Sequence, residues 1–174
     1  LPLLGLQHAN EVLLQARARG RVRDGPFGRA GRHAGCGFAV LDAKTFEVKG
    51  RWENGGPHPS MNYDFWYQPR KNVLASSEFG APKAYEKGFD LDDVAAGHYG
   101  QRMNFWNLEE RTLEQTIDFG EQGLVPLEIR WLHDPDAEQG FVGAALSSVM
   151  WRFHRNGGWA ADPGIEVESV PLAG

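Results

Sequence analysis

The chain has 174 residues, is 41% hydrophobic and 24% charged, and carries a formal net charge of −5. Such values suit a soluble globular domain or part of a larger one. No apolar run approaches the roughly 18 residues of a membrane span, and a single cysteine, Cys36, excludes an internal disulfide framework and paired-cysteine metal or redox motifs.

In chain order, the start LPLLGLQHANEVLL has neither a basic n-region nor an initiator Met, so it does not read as a signal peptide. EVLL (11–14) reads as a strand left over from an earlier repeat. Residues 1–35 hold six Arg against Glu11 and Asp24, whereas the rest of the chain holds 12 basic and 21 acidic residues. The run ARARGRVRDGPFGRAGRHAG invites a nucleic-acid arm. It lacks Lys and any aromatic platform beyond Phe27, and the body behind it is acidic, so no nucleic-acid partner is expected. Residues 1–35 are therefore read as a disordered or aberrant segment, and 36–174 as the folded domain.

Next comes a hairpin, GFAV and VKGRW around the turn LDAKTFE (41–47). YDFWYQPRKNVLASSEF reads as strand, Pro-marked turn and strand, led by Asp64. GAPKAYEKGFDLDDVAAGHYGQR (80–102) is a helical insertion, with one short helix expected near 90–97 and Asp90 or Asp92 as its N-cap. A second hairpin follows, MNFW and QTIDF around LEERTLE (108–114). LEIRWLHDPDAEQGFVGAALSS is a second acid-led strand pair, headed by Glu128. VMWRFHRNGGW (149–159) reads as a degraded third hairpin, with Gly157 and Gly158 available for the positive φ angles of a tight turn.

The elements repeat. LDAKTFE aligns with LEERTLE at an offset of 67 residues, and Asp64 with Glu128 at an offset of 64. Hairpins and acid-led pairs alternate, which makes one four-stranded antiparallel sheet used repeatedly and points to a β-propeller rather than a β-sandwich. Propeller blades recur every roughly 40 to 50 residues, and the 80–102 insertion accounts for the longer period. The fold class expected is all-β: two propeller-type blades plus a piece of a third, with one short helical insertion. Such a set cannot close a ring, so the chain is expected to be a fragment whose partners include the missing blades of the same propeller.

GFAVLDAKTFEVKGRWE, YDFWYQPRKNVLASSEFGAP, GFDLDDVAAGHYG, GLVPLEIRWLHDPDAEQGFVGAALSS and WRFHRNGGW resemble the selenium-binding protein family, nearly continuously from Gly37 to Trp159. Some members of that family are methanethiol oxidases. The resemblance implies a β-propeller in a longer protein that oxidises methanethiol with oxygen and water to formaldehyde, hydrogen sulfide and hydrogen peroxide. It also implies copper as cofactor, with selenium as a further candidate. Residues 1–35 depart from the family: its His-Thr-x-His-Cys run has no counterpart, and His8 lies out of register. Its N-terminal Cys motif, tandem His pair and C-terminal His-Glu-Leu-Arg run are absent. The resemblance places the metal there, so no cofactor and no activity are expected for the isolated chain.

By the same resemblance YDFW and LEIR stand where other blades carry His-rich inner strands. Asp64, Trp66, Glu128 and Arg130 are then candidates for lining the channel or supporting a metal's ligands, with Asp64 matched to Glu128 and Trp66 to Arg130. Arg130 is expected to pair with Glu128 or Asp64 across the channel. The bland reading is that these charges only fix blade register. His133, in the turn signal WLHDPD, is a metal candidate whose bland reading is a turn histidine, and no other metal ligand is assigned. Cys36 is a conceivable selenium carrier but reads as an incidental small residue. Trp52, Phe65, Trp66, Trp106, Trp131, Trp151 and Trp159 read as blade core.

Overall fold

The structure, a computed structural model, describes residues 11–17, 36–56, 58–59 and 61–166. Three antiparallel sheets follow one another along the chain. The first contains β1 (Glu11–Arg17), β2 (Cys36–Asp42) and β3 (Val48–Arg51). The second contains β4 (Asn62–Gln68), β5 (Val73–Glu78), β6 (Arg102–Asn107) and β7 (Thr112–Asp118). The third contains β8 (Pro126–Trp131), β9 (Gln139–Ala144), β10 (Val149–Asn156) and β11 (Gly158–Glu166). Within each sheet every strand pairs with its sequence neighbours. Three sequential meanders of this kind fit a partial β-propeller.

The second sheet lies between the other two. Alternate side chains of a strand point to opposite faces. Leu74 and Trp106 pack with Phe38, Trp52 and Phe65 on one face. Val73, Ala75, Met103 and Phe105 pack with Ile129, Val142, Trp151, Phe153 and Trp159 on the other. Phe105 stacks on Trp159 with centroids 4.3 Å apart, and Phe119 stacks on Trp151 at 4.6 Å. Each such aromatic pair adds about 0.5–1.5 kcal/mol beyond the area it buries.

Three expectations change in detail. The hairpin turns are equivalent at an offset of 65 residues, not 67. Asp42 Oδ1 accepts from the N–H groups of Lys44 and Thr45, as Asn107 Oδ1 does from Glu109 and Glu110. Phe46 and Arg111 then take φ 58° and 61°. A short side-chain acceptor stands in for a backbone turn at both places. The insertion holds two helices rather than one. α1 (Pro82–Tyr85) starts on a proline with no side-chain cap, and α2 (Leu91–Ala95) is capped by Asp90, which accepts from Asp92 N at 2.9 Å. In the last hairpin Gly157 alone has positive φ, 77°, and Gly158 does not.

Glu11–Arg17 lie within the segment 1–35, and they pair in full with Cys36–Asp42. The remainder of that segment, and the disorder expected for it, lie outside the described residues.

Candidate functional site

β4 and β8 are the first strands of their sheets, and they lie against one another. Both carry a bulge at the same step. β4 pairs with β5 through Asn62↔Glu78 and Phe65↔Ser76, skipping Tyr63 and Asp64. β8 pairs with β9 through Pro126↔Ala144 and Ile129↔Val142, skipping Leu127 and Glu128. A bulge frees residues from the ladder and re-aims their side chains. Both acids therefore sit at points where the strand does not hydrogen-bond its own sheet.

Asp64 is 7% exposed, and its Oδ2 accepts from the backbone N–H of Ile129 at 2.8 Å. The Asp64 N–H donates to Ser77 Oγ at 3.3 Å, and that hydroxyl donates to Leu127 O at 2.6 Å. One acid and one hydroxyl of the second sheet thus satisfy the backbone of the β8 bulge. Burial raises the Asp64 pKa, as does the nearby Glu128 charge, while the Ile129 N–H and the Arg130 guanidinium oppose the rise. Asp64 is therefore buried between the second and third sheets.

Glu128 and Arg130 are exposed. Arg130 reaches both acids: Nη1 lies 3.7 Å from Asp64 Oδ2, and Nη2 donates to Glu128 Oε2. Its guanidinium also covers the half-buried Trp66 ring, 5.1 Å from the centroid. The four residues meet where β4 and β8 adjoin, and Arg130 links those strands side by side.

A polar cluster that the sequence reading missed lies deeper in the second sheet. Trp106 Nε1 donates to Ser76 Oγ, which donates to Asn62 Oδ1, and Thr116 donates to Asn104 Oδ1. Glu78 stands across the ladder from Asn62 and is 6% exposed, and its burial raises its pKa. The usable signal was SSE in VLASSEF: three polar residues inside a strand with no turn residue beside them.

The histidines are scattered. His133 is exposed in the turn after β8. His98 bonds Asp93 at 2.9 Å in the insertion, and His154 bonds Asp162 at 3.0 Å on the third sheet. His58 lies near Glu53 and Arg51, with its pKa lowered chiefly by burial. Among the described residues no three His, Cys, Asp or Glu side chains converge as metal ligands. A copper centre needs several nitrogen or sulfur donors in fixed geometry, so the described residues do not fit one. The side chains of His8, His33 and Cys36 lie outside the described residues.

Residues 21–174 match the family model described as 56kDa selenium binding protein (SBP56). A Xenopus laevis protein named methanethiol oxidase is 56% identical over 140 residues, covering 79% of this chain and 30% of that protein. A Rattus norvegicus protein of the same name is 44% identical over 173 residues, covering 98% and 36%. The structure of a hypothetical selenium-binding protein from Sulfolobus tokodaii matches with a TM-score of 0.75 at 30% identity, over 95% of this chain and 35% of that one. The chain spans about a third of the length of the curated relatives it matches.

Proposed function

Since the chain belongs to the 56 kDa selenium-binding protein family, we propose that the longer protein it represents oxidises methanethiol. The reaction consumes one methanethiol, one oxygen and one water, and yields formaldehyde, hydrogen sulfide and hydrogen peroxide. The observation that carries this reading is the 56% identity to a methanethiol oxidase over 140 residues, a similarity too long to rest on blade packing alone.

Copper is assigned to the longer protein and selenium is kept as a second candidate, both by family resemblance. The chain's own share is the junction of the inner strands. There Asp64, Trp66, Glu128 and Arg130 place two carboxylates and a guanidinium beside an aromatic face. Such a group orients neighbours and adjusts their pKa values; it is not itself a redox centre.

The test is release of peroxide and sulfide when methanethiol is added to the full-length protein, beside its copper content. Stoichiometric copper with peroxide release supports the proposal. A metal-free, inert protein leaves the rival reading, a propeller that binds partners or carries selenium. The scattering of histidines among the described residues is what favours that rival. The 174-residue chain alone is expected to release no peroxide and to bind copper weakly, and tight copper binding by it overturns this placement of the metal.

A further inference from the structure

Asn-Gly occurs twice in the chain, each time followed by a second glycine: Asn54-Gly55-Gly56 after β3, and Asn156-Gly157-Gly158 at the end of β10. Asparagine before glycine is the pair most prone to spontaneous deamidation, because no Cβ hinders the glycine nitrogen as it approaches the asparagine side chain. That nitrogen adds to the side-chain carbonyl carbon, and the amide nitrogen leaves as ammonia, carrying away the displaced proton. The cyclic imide then takes up one water and opens to aspartate or isoaspartate. Nothing is oxidised or reduced, and water is the only co-reactant.

The two sites share a sequence and differ in setting. Asn156 is the last residue of β10 and pairs with Gly158 across the hairpin, so swinging the Gly157 nitrogen onto the side chain disturbs the ladder. Asn54 lies outside the strands. Its N–H donates to Arg111 O at 2.8 Å, and its Nδ2 donates to Glu110 O at 3.0 Å. The backbone bond holds the residue from its N-terminal side. The peptide that must rotate leads the other way, into Gly55 and Gly56. Both are exposed, with φ 61° and 77°, and a Cβ on either would meet nothing within 4 Å.

The same two bonds give the site a consequence. They tie the loop after β3 to the turn between β6 and β7, across 56 residues of chain, and so join the first sheet to the second. Deamidation replaces the Nδ2 donor with a carboxylate oxygen that faces the Glu110 carbonyl, so two acceptors meet with no proton between them. Glu109 and Glu110, both exposed in that turn, add like charge. Isoaspartate also lengthens the main chain by one carbon at this point. We propose that Asn54 is a deamidation site, and that its conversion releases the loop after β3 from the β6–β7 turn. The reaction asks nothing of copper or methanethiol.

The test follows the 174-residue chain by peptide mass mapping during incubation at neutral and at alkaline pH, with isoaspartyl methyltransferase labelling to score isoaspartate. Conversion at Asn54 should outpace conversion at Asn156 several-fold in the fold. In urea the shared Asn-Gly-Gly sequence decides, and the two rates should draw together. The rate at Asn54 should rise with pH, since the attacking nitrogen must shed its proton. Asn54→Asp should lower the melting temperature more than Asn156→Asp does. The extra loss should shrink below about pH 4, where the new carboxyl regains a proton to donate. The mapping uses the unmodified chain, so it stands whether or not a variant folds. Faster conversion at Asn156, a ratio of the two rates unchanged by urea, or a rate at Asn54 indifferent to pH overturns the proposal. Equal melting temperatures for the two variants, or an extra loss that persists at low pH, overturns the release of the loop.

Discussion

The second and third sheets are built alike and surrounded differently. In the second, every residue of β5 is buried, Val73 through Glu78. In the third, the equivalent β9 alternates between half-buried and buried residues from Gln139 to Ala144. Topology and the bulge of the first strand coincide, so these features do not cause the difference. The second sheet has neighbours on both faces, and the third has one neighbour among the described residues. Alternation of burial along a strand thus records how many of its faces are covered.

The comparison is most sharply broken at Phe105 and its counterpart Arg152. Phe105→Ala should cost about 3–5 kcal/mol, because Phe105 is 0% exposed between the sheets. Arg152→Ala removes an exposed ion pair with Asp162 and should cost less than about 1 kcal/mol. Urea unfolding of both variants measures the gap, and similar losses would mean that the two faces are covered alike.

The next step is the acid pair. Asp64→Ala leaves the Ile129 N–H without its acceptor and should cost about 1–3 kcal/mol. Glu128→Ala should stay within about 0.5 kcal/mol in this chain, since Glu128 is exposed.

The pH dependence follows by sign. The Asp64 pKa is raised in the fold above the ordinary 3.8. Its contribution is therefore fully present below that value and is lost as pH rises through the folded pKa. Asp64→Asn keeps an acceptor oxygen and removes the charge, so its stability relative to the parent chain should rise from pH 4 toward pH 7. A difference that stays flat with pH would show that burial does not act on the Asp64 carboxyl. Glu78→Gln should behave the same way, because burial raises that group too.

The smallest effect lies in the matched turns. Asp42 is held at about pKa 2 by the N–H groups of Thr45 and Lys44. A depressed carboxylate contributes stability above its unfolded value that is lost as pH falls through the folded one. Asp42→Asn, which installs the residue found at Asn107, should remove only the part of the acid unfolding limb between pH 3.8 and about 2.

The architecture was legible because Asp64 and Glu128 head strands of like pattern, and because Asp90 is a recognisable cap. The hairpin register was misread by two residues. The Leu-acid pairs at Leu41 and Leu108 matched in type, whereas the turn is set by Asp42 and Asn107, whose shared trait is a short acceptor side chain. α1 was missed because its first turn carries no capping side chain, only Pro82. The contrast between a buried Asp64 and an exposed Glu128 is not a property of either strand. It depends on what lies opposite, and no local pattern encodes that. The Ser77 hydroxyl bridge was hidden for the same reason, since its acceptor, Leu127 O, is 50 residues away.

Each sheet is closed over its own consecutive stretch of chain. Contacts of short sequence separation form quickly, before long loops must close. During synthesis a meander of this kind can be complete before the next one leaves the ribosome. The face that the second sheet then presents, with Asp64 and Ser77 in place, is a template that fixes the register of β8. Assembly in that order runs in one direction along the message, each finished layer selecting its successor.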